Sequence, residues 1–170
     1  MIPSPHPTAP FRIARTFNAP LDTVWRAWTD PNRLTQWWGP KGVTATIKAF
    51  ELRPGGVWHC ALQAPGGPVM WGKYTFREIT PKSRLVFTVS FSDEHGNLIK
   101  HPLSPDWPMV ILSEVDFAES GGRTTINVRW TPVDATEVEA RTFTDGAPSM
   151  TAGWTGTFDQ FQAWLATVKD

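Results

Sequence analysis

Pro148–Val168 reads PSMTAGWTGTFDQFQAWLATV, and this stretch decides the fold. Met150, Trp154, Thr157, Phe161, Trp164, Leu165 and Val168 fall on one wide helical face, with Phe158 at its edge. At about 100° per residue such spacing marks a helix that lies on a core. Upstream, Thr136-x-x-Glu139 matches a capping box, in which two free N–H groups at a helix start are satisfied reciprocally. Asp145-Gly146-Ala147-Pro148 interrupts that helix, and Pro148 restarts it. Thr157 is the polar residue nearest the centre of the apolar face. Its hydroxyl either bonds its own backbone carbonyl four residues earlier or serves a ligand. Gly153, at the edge of the face, costs roughly 1 kcal/mol relative to Ala and is expected where sheet backbone or a ligand comes close.

A helix this apolar needs a partner, and the preceding residues supply a sheet. Phe11–Phe17 alternates apolar and polar residues, as a half-buried strand does. Leu21, Val24, Trp25 and Trp28 then fall at helical spacing. Asp30-Pro31 opens a second short helix, carrying Leu34, Trp37 and Trp38 up to Gly39-Pro40. Strands follow over 43–52, 57–63, 69–79, 84–91, 110–117 and 124–130, separated by Gly- and Pro-rich turns. Leu85, Phe87, Val89 and Phe91 share one face, as do Ile111, Ser113, Val115 and Phe117. The long stretch 92–109 between strands is expected to act as a lid or binding loop. A seven-stranded antiparallel sheet curved around one long helix is an α+β arrangement, and the helix cannot fill the space it encloses. The order therefore predicts an apolar cavity between sheet and helix.

The order of elements is that of the helix-grip, or START-like, fold. Ala19-Pro20-Leu21-Asp22-Thr23-Val24-Trp25, followed by Trp37-Trp38-Gly39-Pro40, resembles the opening of the SRPBCC superfamily. With Arg53-Pro54-Gly55-Gly56, Gly72-x-Tyr74, Ile79-x-Pro81 and Met150-x-x-Gly153-Trp154, the chain is similar to bacterial relatives of the C-terminal domain of the activator of heat-shock protein 90 ATPase. The likeness runs over residues 11–168. It implies ligand carriage, cyclase- or hydrolase-type catalysis, or a co-chaperone role with the heat-shock protein as partner. Fold alone does not choose among these.

Composition narrows the choice. The chain has 170 residues, 16 basic and 16 acidic, so its formal net charge is zero. No basic stripe offers itself to nucleic acid, and no apolar run approaches the roughly 20 residues of a membrane span. Cys60 is the single cysteine, which excludes an intrachain disulfide and is compatible with the cytoplasm. Residues 1–10 read as a flexible Pro-rich arm before a single START-like domain over 11–170. No phosphate loop, dinucleotide fingerprint, metal-ligand cluster or catalytic triad is recognisable, so neither cofactor nor metal is expected. Asp93, Glu94, His95, His101 and Asp106 read as a solvated loop. His59, by strand parity, faces away from Trp58 and Cys60. The inner faces offer almost no titratable group, which argues against an enzyme.

Ten tryptophans are spread over nearly every element. Trp carries an N–H that needs a partner, so it often lines cavities rather than sealed cores. Trp25, Trp28, Trp130 and Trp164 are expected in the core. Trp58 and Trp154 are expected to wall the cavity, and Trp38 and Trp107 to sit near its mouth. Of the adjacent pair Trp37 and Trp38, either one packs into the core while the other faces the pocket or solvent, or both cap the core rim. Trp71 is expected outward, as a candidate homodimer contact. The ligand-binding residues anticipated are Trp38, Trp58, Tyr74, Phe87, Trp107, Ser113, Met150, Trp154, Thr157 and Phe161, and the function anticipated is binding of a hydrophobic or aromatic small molecule.

Overall fold

A computed structural model describes residues 9–170; most of the Pro-rich stretch lies outside the described residues. The strands are β1 (Phe11–Phe17), β2 (Thr44–Phe50), β3 (Val57–Gln63), β4 (Val69–Thr80), β5 (Arg84–Ser92), β6 (Ile111–Ser120) and β7 (Arg123–Pro132). Helices α1 (Leu21–Thr29) and α2 (Pro31–Leu34) follow β1, and α3 (Glu137–Asp145) and α4 (Ala147–Leu165) close the chain. The strands form one antiparallel sheet in the order β1-β7-β6-β5-β4-β3-β2. This is the α+β helix-grip arrangement.

Two bulges, between Ile47 and Ala49 and between Phe76 and Glu78, break the register where the sheet must bend. The second is clasped by the turn between β2 and β3. Gly55 N–H donates to the Phe76 carbonyl at 2.8 Å, and Phe76 N–H donates to the Gly56 carbonyl at 2.9 Å. The turn requires its glycines. Gly55 has φ +82°, and a Cβ at Gly56 would overlap the Glu51 carbonyl oxygen. The Arg53-Pro54-Gly55-Gly56 motif is therefore a clip on the bend.

The capping box is present: Glu139 N–H donates to Thr136 Oγ1 at 3.1 Å, and Thr136 N–H donates to Glu139 Oε1 at 2.9 Å. Helix α4 packs unequally along its length. Its C-terminal half drives Phe158 and Phe161 against Phe17, with ring centroids 5.4 and 4.9 Å apart. Phe161 also meets Trp37 at 4.3 Å. Gly156 lets the helix approach Pro40, whose Cβ would lie 3.1 Å from an added Cβ. At Gly153 an added Cβ would meet nothing within 4 Å, so no sheet backbone approaches it, and the residue borders open space instead. On the outer face Arg84 joins Glu114 at 2.6 Å and Asp116 at 3.0 Å, consistent with the outward parity of both carboxylates.

Helix α2 ends at Leu34, earlier than the pattern suggests. Trp37 and Trp38 lie in the turn beyond it, free of the 100° divergence of helical neighbours, and both are buried. Trp37 Nε1–H donates to the Ala27 carbonyl at 3.1 Å, which makes it core.

Phe161 is fully buried among aromatic rings. Phe161→Ala is expected to destabilise the fold by about 3–5 kcal/mol, read from the urea midpoint at unchanged slope.

A candidate ligand cavity between sheet and helix

The N-terminal half of α4 stands off most of the sheet and meets it through the Trp154–Trp130 ring contact at 5.8 Å. Between them lies a cavity of about 440 Å³, bounded by β3–β7, the 101–108 loop and the α3–α4 junction. Its walls include Leu62, Met70, Val89, Ile111, Trp130 and Met150. A smaller lobe of about 200 Å³ adjoins it toward Trp38, Gly39 and Pro40. Leu62, Tyr74, Val89, Trp130 and Met150 belong to both lobes, so the two spaces share a wall.

The anticipated ligand-binding residues divide four ways. Tyr74 and Met150 face both lobes, Trp107 the larger, and Trp38, Phe87, Trp154 and Thr157 the smaller. Trp58, Ser113 and Phe161 line neither. Trp58 instead backs the wall, stacked on Tyr74 at 4.1 Å and edge-on to Trp38 at 4.8 Å. Ser113 is fully buried and accepts Trp130 Nε1–H at 3.0 Å. That bond aims Trp130, expected in the core, into the cavity wall. Trp164, also expected in the core, is partly exposed, and its Nε1–H donates to Gln36 Oε1 at 2.9 Å. Thr157 Oγ1–H donates to the Gly153 carbonyl at 3.0 Å, the backbone alternative of the two open to it.

Trp71 borders the larger lobe but turns its ring toward the outer face. Its ring lies 4.8 Å from His59 and 5.5 Å from the Lys48 ammonium. His59 is likewise on the outer face, yet buried: its Nε2 lies 3.1 Å from Ser92 Oγ and 3.1 Å from the Asp93 carbonyl. Strand parity finds the face but not the loop that folds over it.

The 92–109 segment is more ordered than its composition suggests. Asp93 Oδ1 accepts the N–H groups of His95 and Asn97, each at 2.9 Å, and Oδ2 accepts Asn97 Nδ2–H at 2.9 Å. These bonds hold the Asp93 carboxyl below the usual range. The second half seats His101 against Phe91 at 4.4 Å and Trp107 against Phe143 at 5.6 Å. Gly146, at the helix break, accommodates Trp107; an added Cβ would lie 3.0 Å from that ring. His101 is thus a cavity-lining residue that sequence reading assigned to solvent. Its one available signal was membership of the loop that also holds Trp107.

Titratable groups near the cavity are held neutral. Burial pushes the Cys60 thiol up to about 12, and burial raises the Tyr74 phenol well above its ordinary value. Burial lowers His101. Among the described residues no three His, Cys, Asp or Glu side chains converge as a metal site, and no helix is long and apolar enough to cross a membrane.

A curved sheet, a helix that grips only half of it, and an apolar cavity under the other half define a helix-grip protein. The chain belongs to the family described as Activator of Hsp90 ATPase homolog 1-like protein, whose model matches residues 18–166. It is similar to protein Ms6760 of Mycobacterium smegmatis, at 25% identity and TM-score 0.77 over 96% of this chain and 94% of that one. A solution structure from Arthrobacter aurescens matches at 26% identity and TM-score 0.79, over 95% and 88%. The structure of DynU16, a putative protein in the dynemicin biosynthetic locus, shares the fold at 21% identity and TM-score 0.65, over 95% of this chain and 48% of that one. No match was found among curated proteins.

The Cys60 thiol gives a pH signature. Its folded value is raised, so the unfolded chain loses this proton first as pH climbs. The stabilisation is complete below about pH 9 and is lost as pH rises toward about 12. Over that window stability should fall by up to about 1.4 kcal/mol per pH unit more in the wild type than in Cys60→Ala, measured by urea unfolding at stepped pH.

Proposed function

We propose that the protein binds a hydrophobic or aromatic small molecule in the cavity between the sheet and α4. The observation that carries this reading is the wall itself: a space of about 440 Å³ faced by Trp107, Trp130, Met150 and aliphatic side chains, with few polar groups. That size and lining match small-molecule sites, which are concave, mostly apolar and about 300–1,000 Å³. Neutral side chains at the wall suit an uncharged occupant, because a charge brought there would lose its hydration without a counter-charge. A phenol and a thiol that both keep their protons far above neutrality are poor general bases, which favours holding a molecule over converting it. The free Cys60 fits a reducing compartment, and the cytoplasm is the proposed location.

The three-ring hydrocarbon fluorene serves as the probe. It is expected to quench tryptophan emission saturably, with a dissociation constant in the micromolar range, on the order of −8 kcal/mol. Met150→Trp puts an indole at the wall shared by both lobes and should weaken binding of the same probe, read by calorimetry, with the fold intact by circular dichroism. Absence of saturable quenching up to high micromolar fluorene would sink the reading. Unchanged affinity in Met150→Trp would move the site elsewhere.

A further inference from the structure

The polar groups bordering the cavity are mostly spent on the protein itself. Thr142 Oγ1–H donates to the Val138 carbonyl at 2.9 Å, and Thr157 Oγ1–H to Gly153 as above. The Tyr74 hydroxyl is flanked by Trp38 and Cys60. Ser90, Ser104 and Ser149 border the larger lobe, but a hydroxyl donates or accepts with equal ease and imposes no polarity on a ligand. His101 differs.

Leu103 N–H lies 3.0 Å from His101 Nδ1. A backbone N–H can only donate, so Nδ1 must present its lone pair. A ring with an unprotonated Nδ1 is neutral and carries its one hydrogen on Nε2. Burial pushes the ring in the same direction by lowering its pKa. The ring is packed against Phe91 at 4.4 Å, with Trp107 at 6.4 Å. A contact between the ring and its own backbone opposes burial but is the smaller effect; among the described residues Nδ1 is the ring nitrogen that accepts a backbone N–H, and Nε2 has no partner on another residue. The larger lobe is thus bordered by a held ring whose remaining nitrogen is a donor and not an acceptor.

We propose that the occupant is an apolar, ring-bearing molecule with a carbonyl-type oxygen, and that His101 Nε2–H holds that oxygen. This rests on the cavity-binding reading and narrows it to a ligand class. It also assigns His101 a positioning role, because in this tautomer Nε2 has no lone pair with which to abstract a proton. A carbonyl accepts such a bond; an alkyl group or an aromatic C–H edge leaves the imidazole donor unpaired, which is the costlier state.

Fluorenone and fluorene differ by a carbonyl in place of a methylene and serve as a matched pair. Their affinities are measured by calorimetry for the wild type, His101→Phe and His101→Gln. The preference for fluorenone over fluorene is expected to fall about 5-fold from wild type to His101→Phe, the worth of one neutral hydrogen bond. Fluorene affinity should not fall, because the donor it leaves unpaired is gone, and circular dichroism reports the fold of each variant. His101→Gln, which keeps an N–H donor, should restore part of the preference. In ¹⁵N-resolved spectra the wild-type ring should be the Nε2–H tautomer, and its Nε2 resonance should move with fluorenone and not with fluorene. An equal preference in wild type and His101→Phe, or an Nδ1–H tautomer, would overturn the assignment while leaving the cavity reading standing. Failure of the wild type to bind either probe would overturn both.

Discussion

Trp154 is where the helix, the sheet and the N-terminal helices meet. Its ring stacks on Trp28 at 6.4 Å with planes 10° apart and stands edge-on to Trp38 at 5.9 Å and Trp130 at 5.8 Å. Phe158, one turn further on, adds a tilted contact at 5.3 Å. Edge-to-face and offset-stacked pairs at these separations contribute about 0.5–1.5 kcal/mol each beyond burial. On one side of Trp154 the space is filled by Phe17, Phe158, Phe161 and Trp37. On the other it is left open as the smaller lobe. One side chain thus closes the core and floors the cavity.

Such a division explains why a sheet of this size tolerates an interior gap. The fully buried rings of α4, Phe158 and Phe161, gather at its C-terminal half, where the helix presses against β1. The N-terminal half, released from that duty, presents Met150, Gly153 and Trp154 to empty space. Gly146 starts the division. The break there redirects the helix and leaves room for the Trp107 ring, so the loop closes a wall that neither sheet nor helix supplies.

Most of the frame was legible in the residues. Period-two alternation located the strands, and the face containing Trp154 and Phe161 located the long helix, because both patterns are local. Site assignment was less legible, for three physical reasons. Trp37 and Trp38 were read as helical neighbours, but the helix stops before them, and a turn allows both to be buried. Trp130 and Ser113 face the same interior by parity. Which of them meets the cavity depends on a cross-strand hydrogen bond that makes the serine a support for the indole. His101 sits in a loop with no period at all. Its place is set by a bond to Leu103 and a ring contact with Phe91, neither of which leaves a trace in spacing.

The clasp between the Gly55-Gly56 turn and Phe76 has a consequence for how such a protein diversifies. The bend in β4 is held by main-chain donors and acceptors, two of them on glycines with no side chain to vary. Side chains on the inner face can be exchanged without disturbing those bonds. The curvature rests on backbone geometry and not on the lining, so substitution at a few wall positions can reshape the cavity and leave the architecture untouched.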